Sequence, residues 1–220
     1  MRGNDPAAVR RSYDAVAEDY ATNLGDELDG KPLDRWLLER VVALADGGPI
    51  IEGGCGPGHV AGFLASVDPT ADLSGFDLSP AMVALAQRRE PGISFQVGDL
   101  FDPPRHPDGG GWAAIVSFYS IVHFVPEQLP AVFAAFLDRL RPGGRLLLAC
   151  HIGAREDGVR RNEWWGHEVD LDFVFHDRDH IVASLAGAGF SVDEVIVRSP
   201  YAGAEHPTER IYVLASRPAT

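Results

Sequence analysis

From Ile50 onward the chain alternates short apolar runs with amphipathic segments, and this alternation constrains the fold more than any other feature of its 220 residues. The segments "PIIEG", "ADLSGFD", "ISFQVGD", "WAAIVSFYS" and "GRLLLACH" read as strands, while "HVAGFLASV", "SPAMVALAQRRE" and "PEQLPAVFAAFLDRL" read as the helices between them. Strands linked through helices run parallel, and such sheets are covered on both faces. The tail departs from this pattern. After the helical segment "DRDHIVASLAGAG", the runs "FSVDEVIVRS" and "RIYVLASRP" are joined by "PYAGAEHPTE", which has no room for a crossover helix, so the two should pair antiparallel.

Two helical segments precede this core. Asn4 or Asp5 before Pro6 is a helix-start signal, with Val9, Tyr13, Val16 and Tyr20 at helical spacing. Leu33, Trp36, Leu37, Arg40, Val41 and Leu44 form a second pattern, ended by Gly47, Gly48 and Pro49. The expected organisation is a helical cover over 1–47, a core over 48–151 and 177–218, and an insert over 152–176. That insert, rich in charge, tryptophan and glycine, is too long for an ordinary connection and reads as a substrate lid.

Composition excludes several classes of function. A net charge of −13 repels a phosphate backbone and the arginines are scattered, so nucleic acid is not an expected partner. Cys55 and Cys150 form no CxxC pair, which indicates neither a disulfide framework nor a zinc site, and no catalytic metal is expected. A reducing, cytoplasmic setting follows. No apolar run approaches the roughly 20 residues that span a bilayer, and the first residues lack the apolar centre of a signal peptide.

The turn after the first strand, "IIEGGCGPGHV", carries the chemistry. Ligands of open parallel sheets bind at the carboxyl ends of the strands, near the point where strand order reverses. A dinucleotide fingerprint requires a third glycine where this chain has His59, and Pro57 removes an amide from what would be a phosphate cradle. A nucleotide-cofactor oxidoreductase is therefore disfavoured. Glu52 would repel a pyrophosphate but would welcome an ammonium group, so the ligand should carry positive charge.

With these residues in place, the chain resembles the class I S-adenosylmethionine-dependent methyltransferases, of the small-molecule type. Their acid-x-Gly-x-Gly-x-Gly signature matches Glu52, Gly53, Gly54, Cys55, Gly56, Pro57 and Gly58. "GFDLSPAMVALAQ" resembles the second motif, which implies that Asp77 receives the ribose hydroxyls, with Leu78 beside it, and that Met82 packs on adenine. "VGDLFD" resembles the third, with Asp99 taking the adenine amino group and Leu100 a backbone contact. "LRPGGRLLLA" is similar to the family's turn into strand five, and the terminal hairpin to its antiparallel last strand. Ala113 departs from the acid that usually opens strand four. The resemblance implies a Rossmann-like α/β fold: a seven-stranded, mostly parallel sheet with an antiparallel last strand and helices on both faces. It implies S-adenosyl-L-methionine as cofactor and methyl transfer to O, N or C of a small organic acceptor. A non-catalytic module that only binds the cofactor is the alternative.

In-line displacement gains chiefly from alignment of the reactants, so a base is optional. His123, after strand four, is placed where the family often has a histidine; a neutral imidazole there takes a proton from the acceptor, or else caps a helix. Ser117 is expected at the cofactor, and Tyr119 and His151, from the same sheet edge, are expected as substrate contacts. Tyr13 and Tyr20 share a helix face that either covers the cofactor or only packs, and Arg11 either pairs with its carboxylate or is solvated. In the insert, Glu163, Trp164, Trp165, His167 and Asp172 suit an organic acceptor, or the tryptophans form a dimer contact. A monomer and a homodimer both remain open. His176, His180 and His206 read as surface or lid residues.

Overall fold

A computed structural model describes residues 4–203 and 205–219; residues 1–3 of the expected cover lie outside that range. Chain order is α1 (Pro6–Leu24), α2 (Pro32–Ala45), β1 (Ile50–Gly53), α3 (His59–Val67), β2 (Leu73–Asp77), α4 (Pro80–Arg89), β3 (Ser94–Val97) and β4 (Trp112–Phe118). Then follow α5 (Leu129–Arg139), β5 (Leu140–Ile152), β6 (Val159–Trp164), β7 (His167–Phe173), α6 (Arg178–Ala188), β8 (Ser191–Arg198) and β9 (Glu209–Ser216). The sheet has the order β3-β2-β1-β4-β5-β9-β8. Strands β1 to β5 pair parallel, and β9 runs antiparallel to both β5 and β8.

Side-chain alternation along buried strands divides the core in two. Ile51, Ile115, Leu146, Leu148, Ile211 and Val213 face α5 and α6, where Val132, Phe133, Phe136, Ile181 and Leu185 meet them. Ile50, Ala114, Val116, Leu147 and Tyr212 face the other layer, against Leu37, Leu38 and Val41 of α2 and Val60 and Leu64 of α3. Of the expected N-terminal cover, then, α2 belongs to the helical layer of the sheet. Only α1 leaves it.

The insert is a β-hairpin, which the sequence reading did not anticipate. Trp165 and Gly166 turn it with φ of 52° and 83°, both positive as in the primed turns that match strand twist. Strand β7 lies along α1, where Val169 and Leu171 bury against Val9 and Val16. Polar stitches hold the register. The Asp170 N–H donates to Ser12 Oγ at 2.9 Å and the Asp172 N–H to Asn4 Oδ1 at 2.8 Å. Helix α1 is tied to α4 as well, because Asp14 accepts from Ser79 Oγ and the Ala81 N–H at the start of α4, at 2.6 and 3.1 Å. Helix and hairpin thus form one roof over the carboxyl edge of the sheet. Among the described residues no helix is long and apolar enough to cross a membrane.

Candidate active site

Strand order reverses between β1 and β4, and a cleft opens at that point under the roof. Gly54, Gly56, Asp77, Leu78, Met82, Asp99 and Leu100 line it from the sheet edge, Tyr119 and His123 from beyond β4, and Tyr13 and Tyr20 from α1. The turn around the glycines has a mechanical reason. Gly54 has φ 72°, and a Cβ there would stand 2.4 Å from Ser120 Cβ, so the turn closes only without a side chain. Gly56 has φ 50°, and a Cβ there would meet nothing within 4 Å, because it would project into the cleft.

Asp77 ends β2 and holds this geometry. Its Oδ2 accepts the Gly56 N–H at 2.9 Å and its Oδ1 the Ser79 N–H at 2.8 Å. Burial raises its carboxyl above the usual range, opposed by the hydrogen bonds from Ser79 and Gly56. Asp99 Oδ1 accepts the Phe101 N–H at 2.9 Å, leaving the second oxygen for a donor in the cleft. Met82 is buried, its amide capped by Ser79 Oγ at 3.1 Å.

Four expected residues stand behind the wall. Glu52 is 2% exposed, and its Oε2 accepts the Ala61 N–H of α3 at 3.0 Å. Burial pushes its carboxyl well above the usual range, and the charge of Asp77 adds to this. Gly53 abuts Leu100 and Phe76, and Gly58 lies against Ala86 and Phe95, where a side chain would separate α3 from α4. Buried Ser117 hydrogen-bonds Ser120, the serine that does line the cleft.

His123 and Tyr13 meet at the roof. Tyr13 Oη lies 2.7 Å from His123 Nε2, and His123 Nδ1 is 3.2 Å from the Asp172 carbonyl. A carbonyl only accepts, so Nδ1 carries the proton and Nε2 accepts from the tyrosine hydroxyl. Burial pushes the imidazole down to about 4, against the Asp172 carbonyl and charge, so it is neutral near pH 7. Burial also raises the Tyr13 hydroxyl, which stays protonated. Asn4 fixes the frame by donating to the carbonyls of His123 and Asp172 at 2.9 and 2.8 Å.

The remaining expectations divide. Trp164 and Trp165 stack with centroids 4.6 Å apart and bound a second cavity with His151, Tyr13, Tyr20 and Tyr119. Tyr119 Oη donates to Asp34 Oδ2 at 3.1 Å. Glu163 is a correction: it is exposed, and its Oε1 accepts the Gly166 N–H across the hairpin turn instead of facing either cavity. His176 is another, since it is fully buried, its Nε2 3.2 Å from the Ile121 carbonyl, and not a surface residue. His167 pairs with Asp19, Asp172 with Arg160, and Arg11 is exposed. His180 Nε2 is 3.0 Å from the Pro126 carbonyl, and exposed His206 edges the second cavity. Asn4, Asp14 and Ser120 were missed. Asn4 was legible only as a helix-start signal, and nothing local in sequence marks the partners of the other two.

The glycine turn at the reversal point and the acids after β2 and β3 lie within the segment that known proteins match. The family described as "Methyltransferase domain" matches residues 50–144. Over that segment, somewhat under half of the chain, the protein is similar to a methyltransferase domain. A trans-aconitate 2-methyltransferase of Mycobacterium tuberculosis is 37% identical over 94 residues, 43% of this chain and 33% of that protein. One from Methylobacterium nodulans is 40% identical over 112 residues, 50% of this chain and 40% of that protein. The chain thus spans well under half the length of these curated relatives. Among solved structures, a DhpI–SAH complex superposes with a TM-score of 0.72 at 22% identity, covering 98% of both chains. At that identity the likeness is one of fold. That shared fold takes in the roof and the terminal hairpin as well.

Proposed function

We propose that the chain is an S-adenosylmethionine-dependent methyltransferase acting on a small organic acceptor. The observation that carries this reading is the convergence of Gly56, Asp77, Met82, Asp99 and Leu100 on one cleft, with an open Cβ position at Gly56. The residues fit such a cofactor: Asp77 and Asp99 accept from ribose hydroxyls and an adenine amine, and Met82 and Leu100 offer apolar surface. When bound, the cofactor supplies an electrophilic methyl group. Glu52 supports the site from behind, as the anchor of the first turn of α3. Tyr13 and Tyr20 exclude water from above and turn aromatic rings toward the cleft. His123 is the candidate general base. Because Tyr13 donates to Nε2, its oxygen is free to accept a proton from an acceptor hydroxyl or amine while its own proton passes to the imidazole.

The trans-aconitate relatives support a small acceptor, and the charge of −13 argues against nucleic acid. Methyl transfer to O, N or C, a cytoplasmic setting, and a monomer or homodimer belong to the same reading. Calorimetric titration with S-adenosylhomocysteine tests it. Wild-type protein should bind with micromolar affinity, and Asp77→Ala should weaken binding at least tenfold, with a ligand-free thermal melt to separate loss of the site from loss of the fold. Absence of binding heat with either S-adenosylmethionine or S-adenosylhomocysteine overturns the reading.

A further inference from the structure

Beyond the cofactor cleft lies a second cavity of about 310 Å³, and Tyr13, Tyr20 and Tyr119 border both spaces. Much of its wall is flat and apolar: the Trp164–Trp165 stack, Phe173, Phe175, Leu24 and Val122. Charged groups line the rest, with Lys31, Arg161 and Arg210 against Glu27 and Glu205.

Most of these charges cancel in place. Lys31 Nζ is 2.8 Å from Glu27 Oε2. Glu205 receives Arg198 on both oxygens, at 2.6 and 2.8 Å, and Arg210 Nε lies 3.1 Å away. Arg198 is balanced in turn by buried Asp34 at 3.1 Å. Paired off as Lys31 with Glu27, Arg210 with Glu205 and Arg198 with Asp34, the set leaves one cation. Arg161 of β6 stands 5.4 Å over the Trp164 ring and forms no ion pair with a described residue. The acids elsewhere on this −13 chain do not neutralise it, since at physiological salt exposed charges are screened beyond roughly 8 Å. His151 and His206 add no competing charge. Burial at His151, partial desolvation at His206 and the charge of Arg210 at both, joined by Lys31 at His151 and by Arg161 at His206, push both rings below the ordinary imidazole range.

We infer that this cavity receives the methyl acceptor, and that the acceptor is a monocarboxylic acid with a flat apolar body. Arg161 binds the carboxylate, and Trp164 and Trp165 cover the body. One uncompensated positive charge suits one negative charge, and a guanidinium matches a carboxylate in two parallel hydrogen bonds. The inference rests on the methyl-transfer reading above and assigns the class of acceptor to it.

Tryptophan fluorescence tests it, since two of the four tryptophans line the cavity. Protein saturated with S-adenosylhomocysteine is titrated with cinnamate and indole-3-acetate, and in parallel with cinnamamide and indole-3-acetamide. The acids should bind at least tenfold more tightly than the amides. Arg161→Gln should remove that preference while leaving amide binding and calorimetric S-adenosylhomocysteine affinity unchanged, and Arg161→Lys should restore most of it. Acids no tighter than amides, binding of neither series, or an undiminished preference in Arg161→Gln overturns the inference alone. Absence of S-adenosylhomocysteine binding in the wild type overturns it together with the methyl-transfer reading.

Discussion

Gly54 and Gly56 stand two residues apart in one turn, yet alanine at each should fail for a different reason. At Gly56, with φ 50° and nothing within 4 Å of a built Cβ, the substitution carries only the left-handed backbone penalty, about 1–2 kcal/mol. At Gly54, with φ 72°, the same penalty is joined by a 2.4 Å approach to Ser120 Cβ, and overpacking of this kind adds about 1–3 kcal/mol. A domain of this size loses about 2–4 °C of Tm per kcal/mol. Gly56→Ala should therefore melt roughly 2–8 °C below wild type, and Gly54→Ala lower still. Ser120→Gly removes the clashing atom, at about 1 kcal/mol for its hydrogen bond with Ser117. In that background Gly54→Ala should cost no more than Gly56→Ala costs in the wild type, a coupling of about 1–3 kcal/mol in a double-mutant cycle read by calorimetric melting. Ligand binding inverts the order. Gly56→Ala should keep its fold and lose at least tenfold in S-adenosylhomocysteine affinity, because the added methyl occupies the cleft. Equal melting of the two single variants, an additive cycle, or wild-type affinity in Gly56→Ala would refute the reasoning.

The imidazole of His123 sits at about 4 in the folded chain against an ordinary 6.5, so between these values the unfolded chain binds a proton that the folded chain refuses. Its contribution to stability is complete above pH 6.5 and is lost as pH falls toward 4; urea unfolding of His123→Gln should show a shallower decline across that window, and an unchanged slope counts against the assignment. Asp34 is 0% exposed and accepts from Tyr212 Oη at 2.6 Å, Tyr119 Oη at 3.1 Å and Arg198 Nη2 at 3.1 Å. Removing one partner of such a buried pair costs about 3–5 kcal/mol, so Asp34→Ala should lower Tm by roughly 6–20 °C, and a shift below 2 °C would contradict its place as the hub of that network.

The fold was legible because its signals are local and repeat. Short β-rich runs separated by helical ones specify a parallel sheet, and "PYAGAEHPTE" between two such runs leaves no room for a crossover, so the antiparallel finish of β8 and β9 followed from loop length alone. The hairpin in the insert was equally local but masked by composition. Its turn is Trp165-Gly166 in place of the usual Asn-Gly or Asp-Gly, and the flanking charges of "RRNEW" and "HEVDLDF" read as solvated chain. Only the alternation of Val169 and Leu171 marked a buried face, and what buries it, Val9 and Val16 of α1, lies over 150 residues away.

Residues whose partners lie nearby in sequence were read more fully than those whose partners do not. Asp77 caps its own turn through Ser79 and reaches Gly56 across one βαβ unit, so its place on the cleft was legible from its position at a strand end, although the two amides it holds were not read. Glu52 shows the limit of that approach. An acid at the end of a strand was read by its charge as a group facing a cation, but the first turn of α3 returns to within 3.0 Å and supplies the Ala61 amide instead. The unpaired amides of a helix start and a soluble cation compete for the same carboxylate, and burial to 2% exposure favours the donor already attached to the chain. On the proposed methyl-transfer reading, attraction for positive charge in the cleft then falls to the aromatic rings of the roof.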